Sequence, residues 1–286
     1  MHIDLLGKKR QKVNLHTHTS RSDGRRDPEF VKELYRKNGY DAIALTDHWV
    51  RGELDIENGL TILAAAEYNL RDTLLGAHHI LGIGTVKDPE ITINSTPQQT
   101  IDAIHEAGGL VVLAHPAWSL NTPEQILDLH GIDATEIYNS VSGVHQSRRP
   151  DSSLLIDMVA SRGRYLPLVA DDDAHYYDND ACISWIMAEA EDNSQDAILS
   201  AVREGRFYAT QGPEVHMWQE GEEIVVKCSP SEEIVFFSNL AWCERVFTGE
   251  ALTEARYKIH ANETYVRCEV TDSDGKRAWT NILPLK

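Results

Sequence analysis

Residues 13–24 read VNLHTHTSRSDG: a short apolar run, two histidines two positions apart, and an aspartate five positions further on. Because side chains alternate across a strand, His16 and His18 are expected to point to the same face. A lone His-x-His pair is more often a surface or core feature than a metal site, since imidazole has several roles. Its meaning therefore depends on what the rest of the chain places beside it.

The bulk composition is that of a globular chain. It has 286 residues, 42% hydrophobic and 25% charged, which fits one large domain or one large and one small domain. No apolar run is long enough for a transmembrane helix, and the first ten residues lack the features of a signal peptide. Four widely spaced cysteines form no C-x-x-C pair, which favours reduced core residues and a cytoplasmic location: Cys182, Cys228, Cys243 and Cys268.

The charge balance bears on the partners. With 27 basic and 45 acidic residues the net charge is −18. Binding to duplex nucleic acid depends on many Lys and Arg contacts to phosphates, so this partner is not expected, and neither is a membrane. A small anionic substrate stays compatible, because bound cations can invert the local charge. The sequence leaves the oligomeric state open.

The first two-thirds of the chain alternates short apolar runs with helical patterns, which predicts an α/β fold with a largely parallel sheet, closed or open. Helix starts carry a capping residue followed by proline, as at Asp27-Pro28 and Thr96-Pro97. The predicted strands are 13–16, 42–46, 62–66, 80–84, 110–114, 134–138, 166–170 and 183–188. The predicted helices are 28–37, 97–106, 123–129, 152–161 and 194–203.

The pattern changes after Gly212-Pro213. Residues 223–228, 233–237, 256–260 and 264–270 alternate polar and apolar side chains, and a hairpin turn is expected at 272–275. We therefore predict two domains, residues 1–212 and residues 213–286, the second a small antiparallel β-sandwich.

Polar residues with metal-binding chemistry follow several of the early strands. Parallel α/β barrels build their active sites at the C-terminal ends of their strands, so these side chains are expected to meet. The residues at these strand ends are His16, His18, Asp47, His48, Glu67, His115, Asp173 and His175. Five strands delivering such residues make a metal site the favoured interpretation.

In this order, the motifs HTHTSRSDG, TDH, a strand-end glutamate, HILG, AHP and DDDAH resemble the PHP (polymerase and histidinol phosphatase) metallohydrolase family. The resemblance covers about residues 12–210 and is to a TrpH-like phosphoesterase branch without the helical insertion. It implies a distorted (β/α)7 TIM-like barrel that holds two or three divalent metal ions.

The resemblance also implies three groups of ligands. His16, His18, Glu67 and Asp173 would hold the first metal, and Glu67 would bridge to a second. His79 and His115 would complete the second site. The third site would use Asp23, His48 and His175.

Mixed imidazole and carboxylate ligands suit Mn, Fe or Zn better than Ca or Mg. Three carboxylates cannot balance three dications, which leaves positive charge for a phosphate. A metal-activated water would then be the nucleophile, with Glu67, Asp173 and His175 as the catalytic residues. The predicted function is hydrolysis of a phosphomonoester of a small metabolite or nucleotide.

Other roles stay open at this point. The family pattern selects His79 over the adjacent His78. Asp47 would orient a ligand or cap a loop, and Asp171 and Asp172 would be solvated or support ligands. Four further candidates for substrate contact compete with surface or loop roles: Arg21, Asn139, Arg148 and Arg149. Glu136 would line the pocket or bond a loop, and Trp118 would stack on substrate or pack in the core.

The chain differs from some members of this family in a segment that affects substrate specificity. Only 36 positions separate His79 from His115, too few for the helical insertion that encloses the substrate in family members acting on nucleotide 3′,5′-bisphosphates and short RNA. Nucleotide specificity is therefore not carried over. The alternatives are a phosphodiesterase or non-phosphate hydrolase using the same metals, or a non-catalytic binding module.

Overall fold

The computed structural model describes residues 2–70, 77–145, 147–242 and 244–285. Within them the first strands are β1 (His2–Ile3), β2 (Lys9–Asn14), β3 (Ala42–Ala44), β4 (Asp55–Glu57), β5 (Leu60–Leu63), β6 (Ala65–Leu70), β7 (His78–Ile83), β8 (Leu110–Leu113), β9 (Ala134–Asn139), β10 (Leu168–Asp171), β11 (Trp185–Glu189) and β12 (Phe207–Thr210). The helices are α1 (Pro28–Lys37), α2 (Pro97–Glu106), α3 (Pro123–Asp128), α4 (Ser140–Val144), α5 (Ser153–Ala160) and α6 (Gln195–Arg203). The last strands are β13 (Val215–Glu220), β14 (Glu223–Ser238), β15 (Val246–Lys258), β16 (Tyr265–Thr271), β17 (Arg277–Trp279) and β18 (Leu283–Pro284).

Helices begin where the sequence places a cap. Asp27 accepts a hydrogen bond from the backbone N–H of Phe30 at the start of α1. Thr96 and Gln99 form a reciprocal capping box at the start of α2, and a proline opens each helix. The observed bounds of α1 and α2 coincide with the predicted ones.

The strands form two sheets. One has thirteen strands, in which β13-β14-β16-β17-β12-β11-β2-β3-β5-β4 are consecutive neighbours. The other has the order β10-β9-β8-β7-β6. The largest buried apolar cluster joins residues of both sheets, among them Val13, Leu63, Leu81, Val112 and Leu168. The α/β class predicted from the sequence is thus observed.

The expectation of a largely parallel sheet is wrong around β7. This strand runs antiparallel to both β6 and β8. Only a few residues separate the end of β6 at Leu70 from the start of β7 at His78, which is too short for the helical crossover that a parallel pair requires.

A closed barrel is not formed by the described strands. β11 pairs antiparallel with β2, with Ile186 opposite Val13, and so occupies an edge of β2 that a closing strand would need. The segment after β10 therefore meets only the extension of β2, through a single bridge between Thr17 and Ala174. A second bridge, His48 to Glu67, links the sheets at the other side.

The strands after residue 213 are antiparallel, as predicted, but they do not form a separate sandwich. β17 pairs with β12, Thr210 lying opposite Ala278, so the later strands extend the thirteen-stranded sheet. They bury a second apolar cluster that includes Ile224, Phe236 and Val266.

None of the helices in the described part of the chain is long and apolar enough to cross a membrane.

Candidate metal centre

The first ligand loop leaves β2 and turns sharply back. The backbone N–H of His18 donates to the carbonyl of Ala174, and that of Asp173 donates to the carbonyl of His16, which aligns the two segments. Gly24 closes the loop. A Cβ atom there would lie 2.5 Å from the carbonyl oxygen of His18, so no other residue fits without moving the ligand backbone.

Two predicted ligands have unusual backbone angles. Asp173 has φ of 51° and His115 has φ of 27°, a region that residues other than glycine rarely adopt. Such strain persists only where the surrounding structure imposes it, and it is concentrated at functional sites.

The first group contains four potential metal-ligand atoms, one from each side chain, that lie close together. Nε2 of His16 lies 3.1 Å from Nε2 of His18, 3.2 Å from Oε2 of Glu67 and 3.1 Å from Oδ1 of Asp173. Nε2 of His18 lies 3.0 Å from the same glutamate oxygen and 3.2 Å from the same aspartate oxygen. All four side chains are buried.

The second group shares Glu67. Its Oε1 atom lies 2.7 Å from Nδ1 of His79 and 3.5 Å from Nε2 of His115. His79 lies near the beginning of β7, not at a C-terminal end. Because β7 is antiparallel to its neighbours, its beginning reaches the edge of the sheet where the neighbouring strands deliver their ligands.

The third group faces outward. Asp23 lies 3.4 Å from Nε2 of His175, 3.5 Å from Nδ1 of His18 and 3.7 Å from Nε2 of His48. Its side chain is 54% exposed, whereas those of His48 and His175 are 17% and 13% exposed. All nine residues predicted as ligands are therefore brought together, in the predicted groups, with His18 also bordering the third.

The ring nitrogens that face away from the groups have partners of their own. Nδ1 of His16 lies 2.7 Å from Oε1 of Glu136, Nδ1 of His115 lies 3.0 Å from Oγ of Ser119, and Nδ1 of His175 lies 2.7 Å from the Asp173 carbonyl. This is the arrangement that orients metal-binding histidines and leaves the other nitrogen free to ligate.

Glu136 and Asn139 lie behind the ligands. Glu136 also accepts the backbone N–H of His115, at 2.7 Å, and the side-chain amide of Asn139 donates to Glu136 and to Asp173. Asn139 is completely buried, so its position favours orientation of ligands. Contact between Asn139 and substrate stays a prediction.

Other aspartates hold the loops. Asp47 accepts hydrogen bonds from the backbone and hydroxyl of Thr19 and from the hydroxyl of Ser22, which is the loop-capping alternative. Asp172 accepts the backbone N–H groups of residues 182–184. Asp171 and Asp172 are fully buried, which excludes the solvated alternative for both. Asp180, which the sequence analysis missed, accepts three successive N–H groups beginning with that of His175.

The predicted arginines lie outside the groups. Arg148 is exposed and donates to the carbonyl of Gly143. Among the described residues, neither Arg21, Arg148 nor Arg149 forms a hydrogen bond or ion pair with a side chain of the nine ligands. Trp118 is half-buried and packs its ring against those of His79 and His115, at 5.5 and 4.9 Å between centroids, and its contact with substrate stays a prediction.

The fold of this chain is similar to that of a solved two-domain protein. A crystal structure of a two-domain protein from Bacteroides vulgatus, containing a predicted PHP-like metal-dependent phosphoesterase, matches with a TM-score of 0.57 at 17% identity. The match covers 98% of this chain and 97% of that one. This chain has a PHP-like fold. The resemblance found in the sequence is thereby confirmed at the level of the fold.

Other comparisons are more distant or partial. No protein-family model matches the chain. An uncharacterised protein from Methanocaldococcus jannaschii, MJ1587, is 26% identical over 148 residues, 45% of this chain and 82% of that protein. An amidohydrolase from Chromobacterium violaceum, solved with bound sulfate and no metal, has a TM-score of 0.43 at 16% identity and covers 59% of this chain and 89% of its own.

The donor set of this PHP-like chain fits metal ions. A tetrahedral ion with bonds of about 2.0–2.1 Å separates its ligand atoms by roughly 3.3 Å. The observed separations in the first group, 3.0–3.2 Å, are close to this value. Oδ1 of Asp173 and Nδ1 of His48 are buried and form no hydrogen bond of acceptable geometry, although polar atoms of His16 and Glu67 lie 3.1 and 3.2 Å from them; a bound cation would satisfy both.

In this PHP-like chain, the histidines of the cluster lower the pKa of its buried carboxyl groups. Burial by itself would raise the pKa of Asp173, but His16 and His175 overcome this and hold it well below its usual range. The pKa of Glu67 is likewise lowered, against burial, by His16 and His79. These carboxylates are therefore charged at neutral pH, as ligation requires.

We expect the metal-free protein to lose stability as the pH rises from 6.5 to 9. Burial by itself would lower the pKa of His18, but Asp173 and Glu67 raise it to about 9. A group whose pKa is raised by folding adds stability below its unfolded value, about 6.5, and loses it as the pH rises through the folded value. Urea titrations after chelation should show the free energy of unfolding falling by on the order of 1–3 kcal/mol.

Two variants control this titration. His18→Gln should reduce the fall without abolishing it, because carboxylates of the cluster also raise the pKa of His16 and His175. His105→Gln, which breaks a more exposed pair with Asp133 at 2.9 Å, should leave it in place. A stability that is flat or rises over this interval in the chelated wild type would contradict the assignment.

Proposed function

We propose that this chain is a metal-dependent phosphoesterase that hydrolyses a phosphomonoester of a small metabolite or nucleotide. One observation carries the proposal: the carboxylate of Glu67 lies between five histidines of all three ligand groups. Its oxygens are 2.7–3.5 Å from ring nitrogens of His16, His18, His48, His79 and His115.

Two or three divalent ions, Mn, Fe or Zn, would be held by the nine residues of the three groups. When bound, such ions supply a water nucleophile at neutral pH and neutralise charge on the phosphoryl oxygens. They also provide the positive charge that an anionic substrate needs in a chain of net charge −18.

The protein's own residues would set the geometry. Glu67 directs one oxygen to the first group and the other to the second, which fixes their spacing. Asp173 directs Oδ1 to His16, and its Oδ2 lies 3.7 Å from His115. His175, in the outward-facing group, is the most exposed of the three proposed catalytic side chains, and Glu136 keeps His16 oriented.

The finer predictions belong to the same proposal. Residues 1–212 would form the metal-binding α/β unit, without a closed barrel, and residues 213–286 would form a second, all-β unit that continues the larger sheet. The B. vulgatus match, a two-domain protein over nearly its whole length, supports this division. The proposed partner is a small phosphorylated substrate, without duplex nucleic acid or a membrane, and the proposed location is the cytoplasm.

A substrate panel tests the activity. Manganese-loaded protein should release inorganic phosphate from p-nitrophenyl phosphate or another monoester, and chelation should abolish the release. Cleavage of bis(p-nitrophenyl) phosphate or of a carboxylic ester, with no phosphate from any monoester, would replace the proposal by its alternative, a diesterase or non-phosphate hydrolase. Absence of both metal and turnover would favour a non-catalytic module.

A further inference from the structure

Among the described residues, the metal cluster is most exposed to solvent at its third group. Side chains of the first group are at most 6% exposed, while Asp23 in the third group is 54% exposed. A ligand therefore approaches past Asp23 and His175, and residues around these two form the rim of the opening.

Arg25 lies on this rim. It follows Asp23 by two positions, and its backbone N–H donates to the carbonyl of His175 at 2.7 Å, so the chain itself fixes its place. Its guanidinium carbon lies 4.3 Å from the centroid of the Tyr176 ring. Arg25 is not among the arginines predicted from the sequence to contact substrate, which are Arg21, Arg148 and Arg149.

Tyr176 is held from its other side. The ring of His145 stacks on it with 4.0 Å between centroids and an interplanar angle of 28°. Two planar groups cannot share one face of a ring at such distances, so Arg25 and His145 take opposite faces. His145 is in turn held by Asp178, 2.7 Å from its Nε2 atom. The result is a three-layer stack, Arg25–Tyr176–His145.

The guanidinium of Arg25 has its donors available. Among the described residues it forms no hydrogen bond and no ion pair, and its stacking contact leaves the N–H groups in its plane unused. A guanidinium presents a fork that matches carboxylate and phosphate oxygens, and stacking restrains its motion before a ligand arrives. Three arginines lie within residues 20–26, a local excess of positive charge in an acidic chain.

We propose that Arg25, held against Tyr176, binds an oxyanion of the ligand at the mouth of the metal cluster. The oxyanion is either an outward oxygen of the phosphoryl group or a second anionic group on the same molecule. The inference rests on the proposed function, because the metal cluster is what would bring the ligand to this rim.

Calorimetric titration of the manganese-loaded protein with inorganic phosphate and with methylenebisphosphonate tests the proposal. Arg25→Gln should weaken binding of at least one probe roughly tenfold or more. Arg26→Gln is the matched control, since it removes the same charge one position away, where the guanidinium lies 4.9 Å from the Phe30 ring. It should change binding less than about twofold, within the effect of one surface charge.

The two probes distinguish the two sources of the oxyanion. Loss of affinity for both probes in Arg25→Gln would assign Arg25 to the phosphoryl group, and loss for the bisphosphonate alone would assign it to a second anionic group. Equal affinities in the Arg25→Gln and Arg26→Gln variants would overturn the inference. Failure of both probes to bind the loaded wild type would overturn it as well.

The contact between Arg25 and the Tyr176 ring can be tested separately. Tyr176→Phe keeps the ring and should bind as the wild type does, while Tyr176→Leu should share the defect of Arg25→Gln with unchanged metal content. Binding that depends on Arg25 in a protein that hydrolyses no ester would refute the proposed function and leave this inference standing. Hydrolysis of a phosphate ester with the same KM in Arg25→Gln and Arg26→Gln would support the proposed function and refute the role of Arg25.

Discussion

Glu67→Gln is expected to lower kcat/KM by about 1,000-fold or more, which corresponds to roughly 4 kcal/mol of transition-state stabilisation. The substitution keeps the volume but removes the charge that five histidines surround, and one oxygen becomes an amide nitrogen that cannot ligate. Metal content should fall at the same time, because Glu67 is shared by the first and second groups. Steady-state kinetics and elemental analysis of the purified variant measure both effects.

The matched control is Glu263→Gln. Glu263 is also buried, accepts the backbone N–H of His260, and belongs to none of the three groups. This variant should keep its metal and its activity to within a few-fold. A Glu67→Gln protein with full metal content and near-wild-type turnover would exclude Glu67 as the bridging ligand.

Metal removal is expected to have the second large effect. Ions bound at about 1,000 times their Kd stabilise the native state by roughly 4 kcal/mol per site. For a chain of this size, one site corresponds to a drop in Tm on the order of 10 °C on chelation. Differential scanning calorimetry before and after chelation, and again after addition of manganese, measures the drop and its reversal.

The Glu67→Gln variant serves as the internal control for chelation. Its Tm should respond much less to chelator, since it is expected to hold less metal from the start. A wild-type Tm that does not change on chelation and reloading would contradict the claim that metal bound by the cluster stabilises the native state.

The local features of the site follow from local sequence. Alternation predicted that His16 and His18 share a face, and both nitrogens are found 3.1 Å apart. The helix bounds at 28–37 and 97–106 follow from Asp27 and Thr96, whose caps depend only on residues three positions away. The grouping of the ligands followed the family resemblance.

Long-range pairings could not be predicted in the same way. The predicted strands 62–66 and 80–84 left room for a crossover, whereas β6 and β7 are longer and leave room only for a hairpin, and the resulting direction of β7 decides how His79 reaches Glu67. The contact between Glu136 and His16 joins residues 120 positions apart. Strand register sets such contacts, and the apolar runs alone leave the register open.

The stack of Arg25, Tyr176 and His145 is another long-range contact that could not be predicted from the sequence. A basic loop was visible in the sequence, but the hydrogen bond from the backbone N–H of Arg25 to the His175 carbonyl, which places Arg25 beside a predicted ligand, joins residues far apart in the chain. The choice among Arg21, Arg148 and Arg149 had no such geometric basis.

Anomalous diffraction from crystals of the untreated protein, combined with elemental analysis of the same sample, shows whether the nine residues hold metal ions. Our expectation is two or three transition-metal ions per chain, with anomalous peaks enclosed by the nine ligands and one of them between His16 and Glu67. A metal content well below one ion per chain, with no peak within the cluster, would contradict it.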